Sequence, residues 1–199
     1  MTDETDDLAD LGLECSEDWV PFPVPGSVDL DYWAKYQARE LVERYARDGE
    51  RGDARLLRRD LRRAVAECHR RDPLAAFGLY LSGHPTMAAV LELDAVHPDA
   101  TYPEVTLSLL AEHMSIRDLG EPDVRELRLP IGDAVRVRQN YAEERKRLLG
   151  GRLVVHSLYY AVRPDHLKAA ITMTVSWTEP VLDEPLEKMA DDIARTLTV

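Results

Sequence analysis

Apolar and polar positions along the chain fall into stretches of two periods. From Ser27 or Asp29, either of which can cap a helix, to about Arg47, apolar groups recur at helical intervals: Trp33, Tyr36, Leu41, Val42 and Tyr45. Asp48-Gly49-Glu50-Arg51-Gly52 breaks that run. A second helix is predicted from about Asp53 to Arg71, with Leu57, Leu61, Ala64, Val65 and Cys68 on one stripe and Asp72-Pro73 as its stop. At Leu74 the period changes to two. Ala75, Phe77, Leu79 and Leu81 alternate with Gly78 and Tyr80, and Ser82-Gly83-His84-Pro85 turns the chain. A return strand from about Thr86 to Val96 carries Met87, Ala89, Leu91 and Leu93 on one face, which makes a hairpin. His97-Pro98-Asp99-Ala100 ends it, and a helix is predicted from about Tyr102 to Met114 with Pro103 in its first turn.

Four strands follow: Val124 to Leu129, Ala134 to Tyr141, Leu153 to Arg163, and Leu167 to Thr178. In the last, Ala169, Ile171, Met173, Val175 and Trp177 face one way and Ala170, Thr172, Thr174 and Ser176 the other, as the pleat of an antiparallel sheet requires. Leu153 to Val162 is apolar or aromatic on both faces and is predicted to be a central strand. Leu182, Leu186, Met189, Ala190, Ile193 and Leu197 form the stripe of a terminal helix, with Asp183, Glu184 and Glu187 favourably near its N-terminus. Runs of strands that can pair without crossovers place the chain in the α+β class.

The N-terminal end reads differently. The first eighteen residues carry eight acids around Leu8, Leu11 and Leu13, a composition that buries little, so residues 1–18 are expected to be an acidic flexible tail and 19–199 a single domain. Trp19-Val20-Pro21-Phe22-Pro23-Val24-Pro25-Gly26 follows, and its alternate prolines force extended backbone that can sit only at a sheet edge, with Trp19 and Phe22 laid onto the core.

The 199 residues carry a formal net charge of −12, which disfavours nucleic acid and anionic membrane surfaces as partners. Of the 25 basic residues only Lys35, Lys146, Lys168 and Lys188 are lysines, a bias that resembles high-GC, actinobacterial coding. Met1-Thr2-Asp3-Glu4-Thr5-Asp6-Asp7 offers no basic or apolar export signal, so a cytoplasmic location is expected, and Cys15 and Cys68 are read as free thiols in a reducing compartment.

No GxSxG, Walker A, GxGxxG, HExxH or paired CxxC occurs, so no catalytic residue, cofactor or metal is assigned. His84 and Ser82 sit at a hairpin tip, where a ligand contact is conceivable but a turn already demands Gly83 and Pro85. His97-Pro98-Asp99 reads the same way, and His156 is read as a hydrogen-bonded core residue more readily than as a metal ligand with His84 or His97. Arg55, Arg58, Arg59, Arg62, Arg63, Arg70 and Arg71 form a basic stripe, but Asp53, Asp60 and Glu67 interleave with it, which favours a solvated face laced with ion pairs over nucleic-acid binding. Arg136 and Arg138 share a strand face with Asn140; the strip suits an acidic partner or the chain's own tail, an ordinary solvated face being the plainer reading. Thr172, Thr174 and Ser176 leave room for a packed helix or a ligand cleft. Tyr159 and Tyr160 point to opposite faces and so do not form one stacking platform for bases.

Leu129-Pro130-Ile131-Gly132-Asp133-Ala134-Val135-Arg136-Val137, Tyr159-Tyr160-Ala161-Val162-Arg163-Pro164 and the strand from Ile171 to Trp177 with its final helix resemble the PsbP-like superfamily, in particular LpqN-related actinobacterial proteins. The likeness covers residues 120–199 and, more loosely, the helix beginning near Trp33. It implies an antiparallel sheet of about six strands sandwiched between helical layers, in proteins that mostly bind other proteins. The lipoprotein cysteine and export signal of LpqN have no counterpart here. The resulting expectation is a non-catalytic protein-interaction module, adaptor or chaperone-like, with another protein as partner and homo-oligomerisation left open. The alternative is a small-molecule binder or enzyme with a cleft on the Thr172/Thr174/Ser176 face near the His84 hairpin.

Overall fold

A computed structural model describes residues 11–144 and 152–199. Seven strands and four helices follow one another as β1 (Trp19–Pro21), α1 (Leu30–Arg47), α2 (Ala54–Cys68), β2 (Ala75–Leu79), β3 (Ala89–Val96), α3 (Leu107–Met114), β4 (Asp123–Leu129), β5 (Gly132–Glu144), β6 (Arg152–Pro164), β7 (Ala170–Trp177) and α4 (Asp183–Ala194). The strands form an open antiparallel sheet in the order β1-β2-β3-β7-β6-β5-β4, so the molecule is α+β. The seventh strand, absent from the expected six, is the proline-bounded β1, which lies at the sheet edge against β2 with Trp19 opposite Leu79. The chain divides into two compact units, Ser16–Glu92 and Met1–Cys15 with Leu93–Val199, the division falling within β3.

In the Ser16–Glu92 unit, Asp29 caps α1 by accepting from the Tyr32 N–H at 3.0 Å, and Asp53 caps α2 by accepting from Arg55 and Leu56. Their apolar stripes meet in a core of Ala34, Ala38, Leu41, Tyr45, Leu57 and Leu61 with Val20 and Tyr80. A carboxylate is buried among them. Asp60 of α2 accepts from the Met87 N–H at 2.8 Å, the Tyr80 hydroxyl at 3.2 Å and Arg63 at 2.7 Å, and so ties the helix to the hairpin.

In the other unit, β6 runs between β5 and β7, with Tyr159 opposite Val137 and Thr174, and Tyr160 opposite Arg136 and Met173. From Val155 to Val162 every residue of β6 is buried, because helices cover both faces. α3 packs on the face of Val135, Val137, Tyr159, Ala161 and Ala170. α4 lies on the opposite face, where the Tyr160 hydroxyl bonds to Asp191. This is the helix-sheet-helix layering expected.

Two local expectations are corrected. The helix predicted from Tyr102 begins at Leu107, because the Asp99 carboxylate accepts from the Thr101 and Tyr102 N–H groups at 2.7 Å and holds that stretch in a turn, while Thr106 supplies the true cap to Leu109. Residues 1–10 of the predicted tail lie outside the described residues, but the next few are seated: Gly12 exchanges two backbone hydrogen bonds of 3.0 Å with Thr198, and the Glu14 N–H donates to the Thr196 hydroxyl.

Candidate functional site

Apart from the turns that carry His84 and His97, the residues singled out by sequence fall into three places, and two of them are structural. Arg136 and Arg138, two apart on β5, project onto the face covered by α4. Asp183, Glu187 and Asp191 recur every fourth residue of that helix. A step of four along a helix advances about 6 Å and a step of two along a strand about 6.8 Å, so the two rows of charge come into register. Arg136 donates to Asp191 at 3.1 Å and Glu187 at 2.9 Å; Arg138 donates to Glu187 at 2.7 Å and lies 3.1 Å from Asp183. Their side chains are only 10% and 13% exposed, so the solvated face expected here is in fact an inner seam. Burial by itself lowers the Arg136 pKa, but its hydrogen-bonded partners, Tyr160 and Glu187 first, carry it above the ordinary value.

The same seam absorbs His156. Its Nδ1 lies 2.9 Å from Asp183, its ring stacks on Trp177 at 5.9 Å, and the Trp177 indole N–H donates to the same carboxylate at 2.7 Å. Arg138 lies over the other ring system, 5.0 Å from the Trp177 centroid. His156 is therefore a core residue, as expected. Its grouping with Asp183 and Trp177 escaped sequence reasoning, because they are distant in the chain; the legible signal was the four-residue repeat of acids on α4.

Thr172 is buried and Thr174 and Ser176 half-buried, on the face that carries α3. Tyr159, bonded to Thr172, stands beside them, and burial pushes its hydroxyl pKa up. Gln139 on the same face spans to the end of α3, donating to the Met114 carbonyl at 2.9 Å and accepting from the Ile116 N–H at 2.8 Å. α3 packs on this face against Val135, Val137, Tyr159, Ala161 and Ala170. His84 belongs to the other unit, half-buried in the hairpin turn, where its N–H donates to the Leu81 carbonyl and its carbonyl accepts from Tyr45. Its recorded bonds are all backbone. Among the described residues no group of three His, Cys, Asp or Glu side chains is placed to hold a metal.

The third place is the arginine stripe of α2. Leu57, Asp60, Leu61, Ala64, Val65 and Cys68 turn one face of the helix into the core, which leaves the arginines on the opposite face. Arg55, Arg58, Arg59, Arg62 and Arg63, with Leu30 and Ala66, line an open groove of about 530 Å³. The ion pairs foreseen from sequence form in part. Asp31 of α1 is shared by Arg62 at 2.8 Å and Arg58 at 3.8 Å, and Asp60 takes Arg63. Among the described residues Arg55 and Arg59 have no carboxylate within ion-pair range, and the buried Nε of Arg58 has no acceptor. Guanidinium groups stay protonated and present only donors, so this lining can bind and orient anions but supplies neither a base nor a nucleophile.

No protein-family model and no curated protein matches the chain. Among the described residues, no helix is long and apolar enough to cross a membrane.

Proposed function

We propose that the chain is a non-catalytic protein-interaction module, adaptor or chaperone-like, working in the cytoplasm of an actinobacterial cell. One observation carries the reading: five arginines of α2 line an open groove and, among the described residues, pair with only two carboxylates, Asp31 and Asp60, in a chain whose net charge is −12. A stable core does not require such a concentration of like charge, which repels itself and is retained at little cost only on a surface. Arginine is also among the residue types enriched at protein interfaces, and α1 exposes Tyr32 and Tyr36 on its outer side. The likeness of residues 120–199 to PsbP-like proteins, which mostly bind other proteins, supports the same conclusion. The packing of α3 and α4 on the two faces of the strands β5 and β6 supports it too, since the alternative needs a cleft on a sheet face.

The test is affinity capture from the native cell at physiological salt with the wild-type chain and an Arg55→Glu/Arg59→Glu variant side by side. A discrete partner recovered with the wild type and lost with the variant is the expected result. Repeated recovery of no partner, or of one indifferent to the variant, removes this function from the α2 face.

A further inference from the structure

We propose that the α2 groove docks a short acidic peptide segment of another protein, its carboxylates seated on Arg55, Arg58 and Arg59. The proposal rests on the interaction-module reading and adds the chemistry of the partner.

Three features specify that chemistry. First, the arginines recur at three- and four-residue intervals, so their side chains leave one helix face from Cβ atoms about 5–6 Å apart. Carboxylates on alternate residues of an extended peptide are about 6.8 Å apart, and those on one face of a helical peptide about 6 Å, so either register lays one acid near each arginine. Second, the donors left over are the ones a carboxylate satisfies. Arg55 and Arg59 carry no ion pair among the described residues, and Arg58 holds Asp31 only at 3.8 Å. A guanidinium offers paired N–H groups to the two oxygens of one carboxylate. Third, the patch is short and has two apolar residues in its lining. From Arg55 to Arg63 the helix rises about 12 Å, and Leu30 and Ala66 line the groove with the arginines.

Length decides between a peptide and a nucleic acid. Surface charges act over about 8 Å at physiological ionic strength, so a short segment feels mainly the arginines beneath it. A longer polyanion extends beyond the patch over a chain of net charge −12. The groove is lined by arginines, a leucine and an alanine, with no aromatic ring on which a base could stack. An acidic segment carrying interspersed leucines matches both the charges and the apolar lining residues.

The experiment titrates the full chain into a fluorescein-labelled decapeptide of glutamates with two leucines and, separately, into a single-stranded RNA decamer, following anisotropy. Saturable peptide binding is expected, weakening as salt rises, and weakening about tenfold or more in Arg55→Glu/Arg59→Glu. Arg55→Lys/Arg59→Lys keeps the charge and is expected to lose several-fold, because an ammonium cannot make the bidentate contact. Equal thermal unfolding of the variants shows that the fold is intact. Three outcomes overturn the proposal: peptide affinity indifferent to both variants, RNA bound as tightly as the peptide, or binding seen only after residues 1–10 are removed. The last makes the chain's own acidic start the occupant. A partner captured from cells through Arg55 and Arg59 but not displaced by the peptide overturns the acidic chemistry and leaves the interaction-module reading standing.

Discussion

Single residues show how tightly parts of this chain are specified. Gly132 opens β5 where the turn from β4 passes β6, and a Cβ built there comes within 1.8 Å of the Arg163 carbonyl oxygen. Backbone stands in the way, so no side-chain rearrangement relieves the clash. Gly132→Ala should cost about 3 kcal/mol or more, read as a lowered urea midpoint. The two thiols are controlled by burial. Desolvation pushes Cys68 up to about 12 and Cys15 to about 11, from an ordinary value of 9.0, because the thiolate is what burial penalises. Both should resist alkylation at pH 8 until the chain unfolds, as mass spectrometry of labelled protein will show. The sign for stability follows: a raised folded-state pKa means the contribution is whole below pH 9.0 and is lost as pH climbs through 11 to 12. Urea midpoints should therefore fall across that alkaline window, and fall less in Cys68→Ala.

At the scale of elements, each helix is fastened by polar groups as well as by its apolar stripe. α4 is the clearest case, since Glu187 bridges Arg136 and Arg138 across the seam. Glu187→Gln removes the charge that two nearly buried guanidiniums share, and should destabilise by about 2 kcal/mol, the half-exposed position and the remaining Asp183 and Asp191 limiting the loss. Denaturant unfolding followed by tryptophan fluorescence in a Trp19→Phe/Trp33→Phe background reports it directly, as the remaining Trp177 ring lies in the same seam. Asp60 holds α2 in the corresponding way from a fully interior position, 5% exposed and with three donors on it. Asp60→Ala should cost about 3 kcal/mol in the same assay, leaving the Met87 N–H and the Tyr80 hydroxyl without their acceptor.

Over the whole molecule, the distribution of charge matters more than its sum. A chain of net charge −12 gathers five arginines along one exposed helix face, and two of them are unpaired among the described residues. Reversing those two charges touches no ion pair and no core contact, so Arg55→Glu/Arg59→Glu should shift stability by less than about 0.5 kcal/mol while abolishing partner capture. Such a split between folding and binding is what separates an interaction face from a structural one. The sequence by itself determined the α+β class, a cap for α1 at Ser27 or Asp29, the two-faced burial of β6 and the opposite directions of Tyr159 and Tyr160. These follow from local periodicity and capping chemistry, which act over a few residues. It also displayed every charge. Only the tertiary structure decided which charges meet: Arg136 and Arg138 read as surface residues until α4 brought Asp183, Glu187 and Asp191 onto them from some fifty positions away. The arginines of α2 read as self-neutralised until Asp31 proved to serve two of them while, among the described residues, none served Arg55 or Arg59. Pairing depends on side-chain distances of a few ångströms, and a linear pattern fixes the face on which a charge stands but not what is folded against it.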